Sequence, residues 1–128
     1  MASTRKSISD WQRMTARKPS KYGNEPLEID GHKFPSRKEA RRYAQLKILE
    51  RAGKISNLQL QVPYELQPAF KHPQTNKTIR AIKYVADFVY TDSETGKVHI
   101  EDTKGFRTKE YELKKKMMLY HGFIIEEI

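Results

Sequence analysis

One stretch of this chain restricts its fold more than any other: VADFVYTDSETGKVHIEDTKG, at residues 85–105. An apolar run is followed by the turn residues DSETG and then by a second run in which apolar and polar residues alternate. This pattern predicts two antiparallel strands joined by a tight turn. The first strand carries Asp87 among apolar neighbours, and a buried carboxylate is costly unless it has a cation, hydrogen-bond donors or an edge position.

Strand alternation separates the acidic pair at the end of the second strand. Asp102 shares a face with Lys104, whereas Glu101 points to the other face. On the first strand, Asp87 is expected to share a face with Val85 and Val89, which lie two positions before and after it. Asp102 is therefore the candidate ligand and Glu101 the bystander, while the register that brings Asp87 and Asp102 together is not visible in the sequence.

Two carboxylates and an ammonium group at one point of a sheet suggest a metal centre. Neighbouring carboxylates repel each other unless a cation lies between them. Hard oxygen ligands completed by water suit Mg²⁺ or Mn²⁺, which can activate water against a phosphodiester. Lys104 can then orient that water or neutralise the phosphate. The alternative is that these residues are ordinary surface charges of a hairpin.

The remaining pattern predicts a mixed α/β fold, with an α+β sheet flanked by helices. A hairpin around Asp30-Gly31 precedes a helix that begins at Ser36 and ends at Gly53. Strands are predicted at 57–66, 78–91 and 97–104, followed by a helix over 108–122 and a last strand at 123–128. Residues 21–128 are expected to form a single domain, and residues 1–20 a basic arm or short helix.

Two further polar residues have both a structural and a functional interpretation. Glu39 completes an S-x-x-E capping box with Ser36, which explains it without any function. It also lies on the face of the helix that packs against the sheet, where it can supply a third carboxylate. Gln61 is either an edge-strand glutamine or an accessory residue of the site.

Composition points to a polyanionic partner. The chain has 25 Lys and Arg against 16 Asp and Glu, a formal charge of +9 in 128 residues. Clustering of these cations favours a nucleic-acid partner over the alternative that the protein is merely soluble and basic.

Two classes of site are excluded by composition. With no cysteine in the chain, thiolate catalysis and Cys-type zinc sites are excluded. No run of residues has the length and apolarity of a membrane span or secretory signal, so a cytoplasmic location is expected.

The ordered set Glu39, Asp87 and Asp102-Thr103-Lys104 resembles the PD-(D/E)XK nuclease superfamily, whose core is αβββαβ, the restriction-endonuclease-like fold. The resemblance implies that Asp87 and Asp102 bind Mg²⁺ or Mn²⁺, that Glu39 is a further ligand, and that Lys104 is the catalytic lysine. The proline of the superfamily motif is absent, because Ala86 precedes Asp87.

The chain also resembles a small phage and prophage family of this superfamily, through KYGNEPLEIDGHKFPSRKEARRYAQL, LQLQVPYEL, YVADFVY, EDTKG and YELKKK. This implies a phage-encoded endonuclease acting in the host cell on Holliday junctions or other branched DNA, as a homodimer. The alternatives are a nicking or DNA-degrading nuclease and a noncatalytic basic DNA-binding protein. The DNA-binding candidates, which can equally be a solvated basic surface, are Arg37, Arg41, Arg107, Lys109, Lys114 and Lys116.

Overall fold

The computed structural model describes residues 27–103 and 107–128. The chain divides into two compact units, residues 1–40 and 41–128, with the boundary inside the first helix. The elements are β1 (Leu27–Ile29), β2 (His32–Phe34), α1 (Arg37–Arg51), β3 (Ile55–Gln67), β4 (Phe70–Lys71), β5 (Thr78–Ile79), β6 (Ile82–Asp92), β7 (Val98–Asp102), α2 (Lys109–Tyr120) and β8 (Ile125–Glu127).

The N-terminal unit contains the predicted hairpin and the start of the first helix. Strands β1 and β2 are antiparallel, and their two-residue turn has positive φ at both Asp30 and Gly31. Such a turn follows the twist of the strands it joins, which explains the Asp-Gly pair. The Ser36 hydroxyl accepts a hydrogen bond from the Glu39 N–H at 3.2 Å, as predicted for the cap. The basic arm predicted for residues 1–20 lies outside the described residues.

A four-stranded mixed sheet forms the centre of the second unit. Its order is β3-β6-β7-β8, with antiparallel pairing except between β7 and β8, which are parallel. A parallel neighbour requires a crossover connection, and α2 lies in the connection between β7 and β8. The mixed α/β fold class is confirmed. The predicted order of helix, three strands, helix and strand is found for the helices and the strands of this sheet, with the short strands β4 and β5 added between β3 and β6.

The sheet has a different set of neighbours on each face. Helix α2 covers one face, where Tyr111 and Met118 pack in a buried cluster with Tyr84, Ile100 and Ile125. The other face carries Glu101 and its cross-strand neighbour Phe88, both fully buried. Burying apolar surface on both sides makes β6 and β7 the interior strands of the unit. Among the described helices, none is long and apolar enough to cross a membrane.

The strand predicted at 78–91 is divided in the structure. Residues 78–79 form β5 with β4, and β6 begins only at Ile82. Gln67 lies opposite Ile82, and Phe70 lies opposite Ile79, three positions further along each strand. The hairpin therefore continues the β3–β6 ribbon, interrupted where Pro68 has no N–H to donate to a ladder.

Candidate functional site

The register of β6 and β7 brings Asp87 and Asp102 to neighbouring positions. Phe88 pairs with Glu101, so the next step along the ladder places Asp87 beside Asp102. Asp87 Oδ2 accepts hydrogen bonds from both the backbone N–H and the hydroxyl of Thr103, each at 2.9 Å. These bonds hold the end of β7 against β6, and the two aspartates lie at adjacent positions where β7 ends.

Asp102 is buried at 2% exposure and is held by a tyrosine. The Tyr84 hydroxyl donates to Asp102 Oδ2 at 2.5 Å. Burial, and then the hydrogen bond to Asp102, raise the pKa of Tyr84 far above its ordinary value. The phenol therefore stays protonated at any physiological pH and acts as a permanent donor that fixes this carboxylate.

Asp87 lies at an irregular point of its strand. Ala86 and Val89 both belong to the cluster under α2, although strict alternation would put them on opposite faces. The prediction that Asp87 shares a face with both flanking valines is therefore wrong, because Val85 is exposed and Val89 is buried. Gln61, opposite this point on β3, has a φ of 53° and donates to Asp87 Oδ1 at 3.3 Å. The accessory interpretation of Gln61 gains a direct contact with Asp87.

Glu101 is a buried member of a polar network, and its interpretation as a bystander overlooked that network. Arg42 on α1 donates to both carboxylate oxygens, at 2.7 Å from Nε and 2.6 Å from Nη2, and the Tyr90 hydroxyl donates as well. The hydrogen bond to Glu101 raises the pKa of Arg42 above its ordinary value. Strand alternation could have indicated a buried Glu101, but its partner on a helix 59 residues earlier gives no local signal.

The predicted catalytic set has two further members besides Asp87 and Asp102, namely Glu39 and Lys104. Glu39 is 6% exposed in the first turn of α1 and belongs to the N-terminal unit, whereas the aspartates belong to the second. Its role as a third ligand stays a prediction. Lys104 lies outside the described residues, so its predicted catalytic role also stays a prediction.

The six basic residues predicted to contact DNA differ in whether they form ion pairs within the protein. Arg107 pairs with Glu127 and with Glu112, and Lys114 pairs with Glu110 at 3.0 Å. Lys109 and Lys116 are exposed and line an open groove of about 500 Å³ together with Arg107 and Leu113. Arg37 and Arg41 are exposed on the first turns of α1.

Glu127 fastens α2 to the last strand. Its carboxylate accepts from the Tyr111 hydroxyl at 2.7 Å and from Lys115 Nζ at 2.9 Å, and it also pairs with Arg107. These donors, Tyr111 first, lower the pKa of Glu127 below its ordinary value. Arg107 and Lys115 therefore have a structural role that sequence reasoning did not assign.

The donor chemistry of the aspartate pair fits a hard divalent cation. Each carboxylate has about four lone-pair positions, so a carboxylate that accepts hydrogen bonds can also be a ligand of a cation. Residues 27–103 and 107–128 contain no group of three or more acidic, histidine or cysteine side chains placed to hold a metal. Asp87 and Asp102 alone would give a two-carboxylate centre completed by water, which Mg²⁺ accepts.

Comparison with known proteins identifies one family. A family model described as "Protein of unknown function (DUF1064)" matches residues 19–126, which is most of the chain. No curated protein and no solved structure matches the chain. The activity therefore has to be inferred from the residues themselves.

Proposed function

Since this chain belongs to the DUF1064 family, for which no function is known, we propose from its own residues that it is a divalent-metal-dependent DNA endonuclease. The observation that carries the proposal is the register that places Asp87 beside Asp102 where β7 ends. A pair of carboxylates fixed by donors on two adjacent strands is a preorganised site for a cation.

Each residue of the pair has a defined task under this proposal. Asp87 and Asp102 would hold Mg²⁺ or Mn²⁺, with Glu39 as the proposed further ligand. The ion would supply a nucleophilic water and charge stabilisation at the phosphate. Tyr84 and Thr103 fix the two carboxylates by hydrogen bonds, and Lys104 is proposed to position water or neutralise charge on the phosphate.

The substrate class follows from charge and size. A formal charge of +9 on 128 residues favours a polyanion. A chain of this size with no evident base-reading module would select DNA by backbone shape more than by sequence. We propose branched DNA, such as a Holliday junction, cut by a homodimer inside the host cell of a phage or prophage.

A noncatalytic DNA-binding protein on the same fold is the second candidate. It is favoured by the lack of a third metal-ligating side chain beside the pair within the described residues. A pure binder has no need of two fixed carboxylates, since these repel DNA phosphates. The two candidates therefore differ in what removal of one carboxylate does to cleavage and to binding.

The test compares wild type with Asp87→Asn and Asp102→Asn on labelled duplex, single strand and four-way junction. We expect wild type to cut in Mg²⁺ or Mn²⁺ and not in EDTA. Each variant should lose cleavage by a factor of about a hundred or more and still bind DNA in EDTA. A nicking or degrading nuclease would show the same loss with no preference for the junction.

The matched control is Asp92→Asn, the same change at the other end of β6. Asp92 accepts from the backbone N–H groups of Glu94 and Thr95 in the turn, a role that asparagine also fills. Its cleavage should equal that of wild type. Failure of wild type to cut any of the substrates with either metal would overturn the nuclease proposal in favour of the binder.

A further inference from the structure

The ribbon formed by β3 and β6 continues past the last residue of β7. Its continuation, residues 68–81, is the arm of this ribbon and is separate from the basic segment at residues 1–20. Strand β7 pairs with β6 only from Phe88 to Thr91, whereas β3 accompanies β6 as far as Ile82. Beyond that pair, residues 68–81 form the β4–β5 hairpin. At about 3.3 Å per residue, the hairpin extends roughly 16 Å past Ile82.

The arm carries positive charge without any acid. No Asp or Glu occurs between Glu65 and Asp87, and within this stretch residues 68–81 contain Lys71, Lys77 and Arg80. All three are exposed, as is Phe70 at 47%. Lys71 donates to the Thr78 hydroxyl at 2.8 Å, across the hairpin.

These three cations form no ion pair within the described part of the chain, unlike Arg107 and Lys114 on α2. Lys83, nearer the sheet, differs from them because it lies opposite Glu65. An arm with three uncompensated cations attracts a polyanion. Duplex DNA, with a charge about every 1.7 Å of its axis, is the partner whose charge density matches. A two-stranded β-ribbon also has the width that a DNA groove admits.

The arm leaves the sheet at the end where Asp87 and Asp102 meet. Arg80 is seven positions before Asp87 along the chain, so their separation along the ribbon is at most about 23 Å, or about seven base pairs. Lys77 is ten positions before Asp87, which corresponds to at most about 33 Å, or about ten base pairs. We propose that residues 68–81 bind the phosphate backbone of duplex DNA, about seven to ten base pairs from the bond that is cut. The distance to the cut rests on the proposed function, whereas the binding itself does not.

The test is binding of a fluorescein-labelled duplex in EDTA at several salt concentrations. In the triple variant Lys71→Gln, Lys77→Gln and Arg80→Gln, we expect the slope of log affinity against log salt to become less steep by about 2 to 3. Affinity should fall at least tenfold. The matched control is Arg51→Gln, Lys54→Gln and Lys97→Gln, which removes equal charge at the other end of the sheet. Far-ultraviolet circular dichroism and melting should show all three proteins equally folded.

The outcomes separate the arm from the catalytic proposal. If the two triple variants bind DNA equally well, the proposal that the arm binds DNA is wrong, whether or not the protein cuts DNA. If the arm variant loses DNA binding and the control variant does not, the proposal that the arm binds DNA is supported, even if wild type has no nuclease activity. For a protein that cuts, hydroxyl-radical footprinting should show protected phosphates about seven to ten base pairs from the cut that become exposed in the arm variant. Protection that persists in that variant would also contradict the arm.

Discussion

At the residue scale, the Tyr84 hydroxyl decides how firmly Asp102 is held. The donor comes from an interior strand, packs under α2 with Tyr111, and stays protonated because burial and Asp102 raise its pKa. Partners of this kind orient a metal-binding carboxylate and restrict its rotamers. Tyr84 is therefore a positioning residue under the nuclease proposal.

Tyr84→Phe tests this role with the loss of one oxygen atom. We expect the Mg²⁺ concentration that gives half-maximal cleavage to rise about 10- to 100-fold, because Asp102 loses its fixed orientation. DNA affinity in EDTA should stay unchanged. The control is Tyr64→Phe, since Tyr64 is half-buried and forms no hydrogen bond through its hydroxyl within the described residues. An equal change in Mg²⁺ dependence in both variants would contradict a specific role for Tyr84.

At the scale of elements, the Arg42–Glu101 pair joins α1 to β7. Arg42 is 21% exposed on its side chain and Glu101 only 1%, so the carboxylate depends on Arg42 and Tyr90 for its solvation. Removing one partner of a buried pair leaves an uncompensated charge, which costs far more than the pair contributes in itself. This pair is therefore a contact through which Arg42 of α1 is held to β7.

Arg42→Met should lower the free energy of unfolding by about 3 kcal/mol, measured by urea denaturation. The double variant Arg42→Met, Glu101→Gln should recover part of that loss, since it removes the buried carboxylate charge that Arg42→Met leaves without its partner. Lys47→Met is the control because it breaks a more exposed pair with Glu50, which should cost less than about 1 kcal/mol. A loss in Arg42→Met no larger than in the control would show that Glu101 does not depend on Arg42.

The same elements show what sequence can and cannot predict. Period-2 alternation and the turn DSETG predicted β6, β7 and the separation of Asp102 from Glu101, because these depend on neighbours along the chain. The partner of Glu101 and the irregularity at Asp87 were missed, since both arise from contacts with distant residues, Arg42 and Gln61. The β4–β5 hairpin was missed because Pro68 interrupts a ladder whose register only the folded ribbon defines.

At the scale of the whole molecule, the nuclease proposal gives each chain one cleavage centre, whereas the proposed substrate needs two cuts. The described residues place a single pair of aspartates, Asp87 and Asp102, at the end of β7. A four-way junction presents two equivalent strands, and its resolution requires a cut in each. A twofold-symmetric dimer supplies two centres with the same geometry, so the proposed dimer follows from the substrate and not from the fold.

Mixed dimers test this proposal. Wild type and Asp102→Asn are co-expressed with different tags, and the dimers carrying both tags are purified and given a supercoiled plasmid that extrudes a cruciform. A wild-type dimer should cut both strands and linearise the plasmid, whereas a mixed dimer should leave it nicked. In an equal, unseparated mixture, linear product should fall to about a quarter, the share of dimers with two intact centres. Linear product from purified mixed dimers, or failure to recover such dimers at all, would contradict one centre per subunit of a dimer.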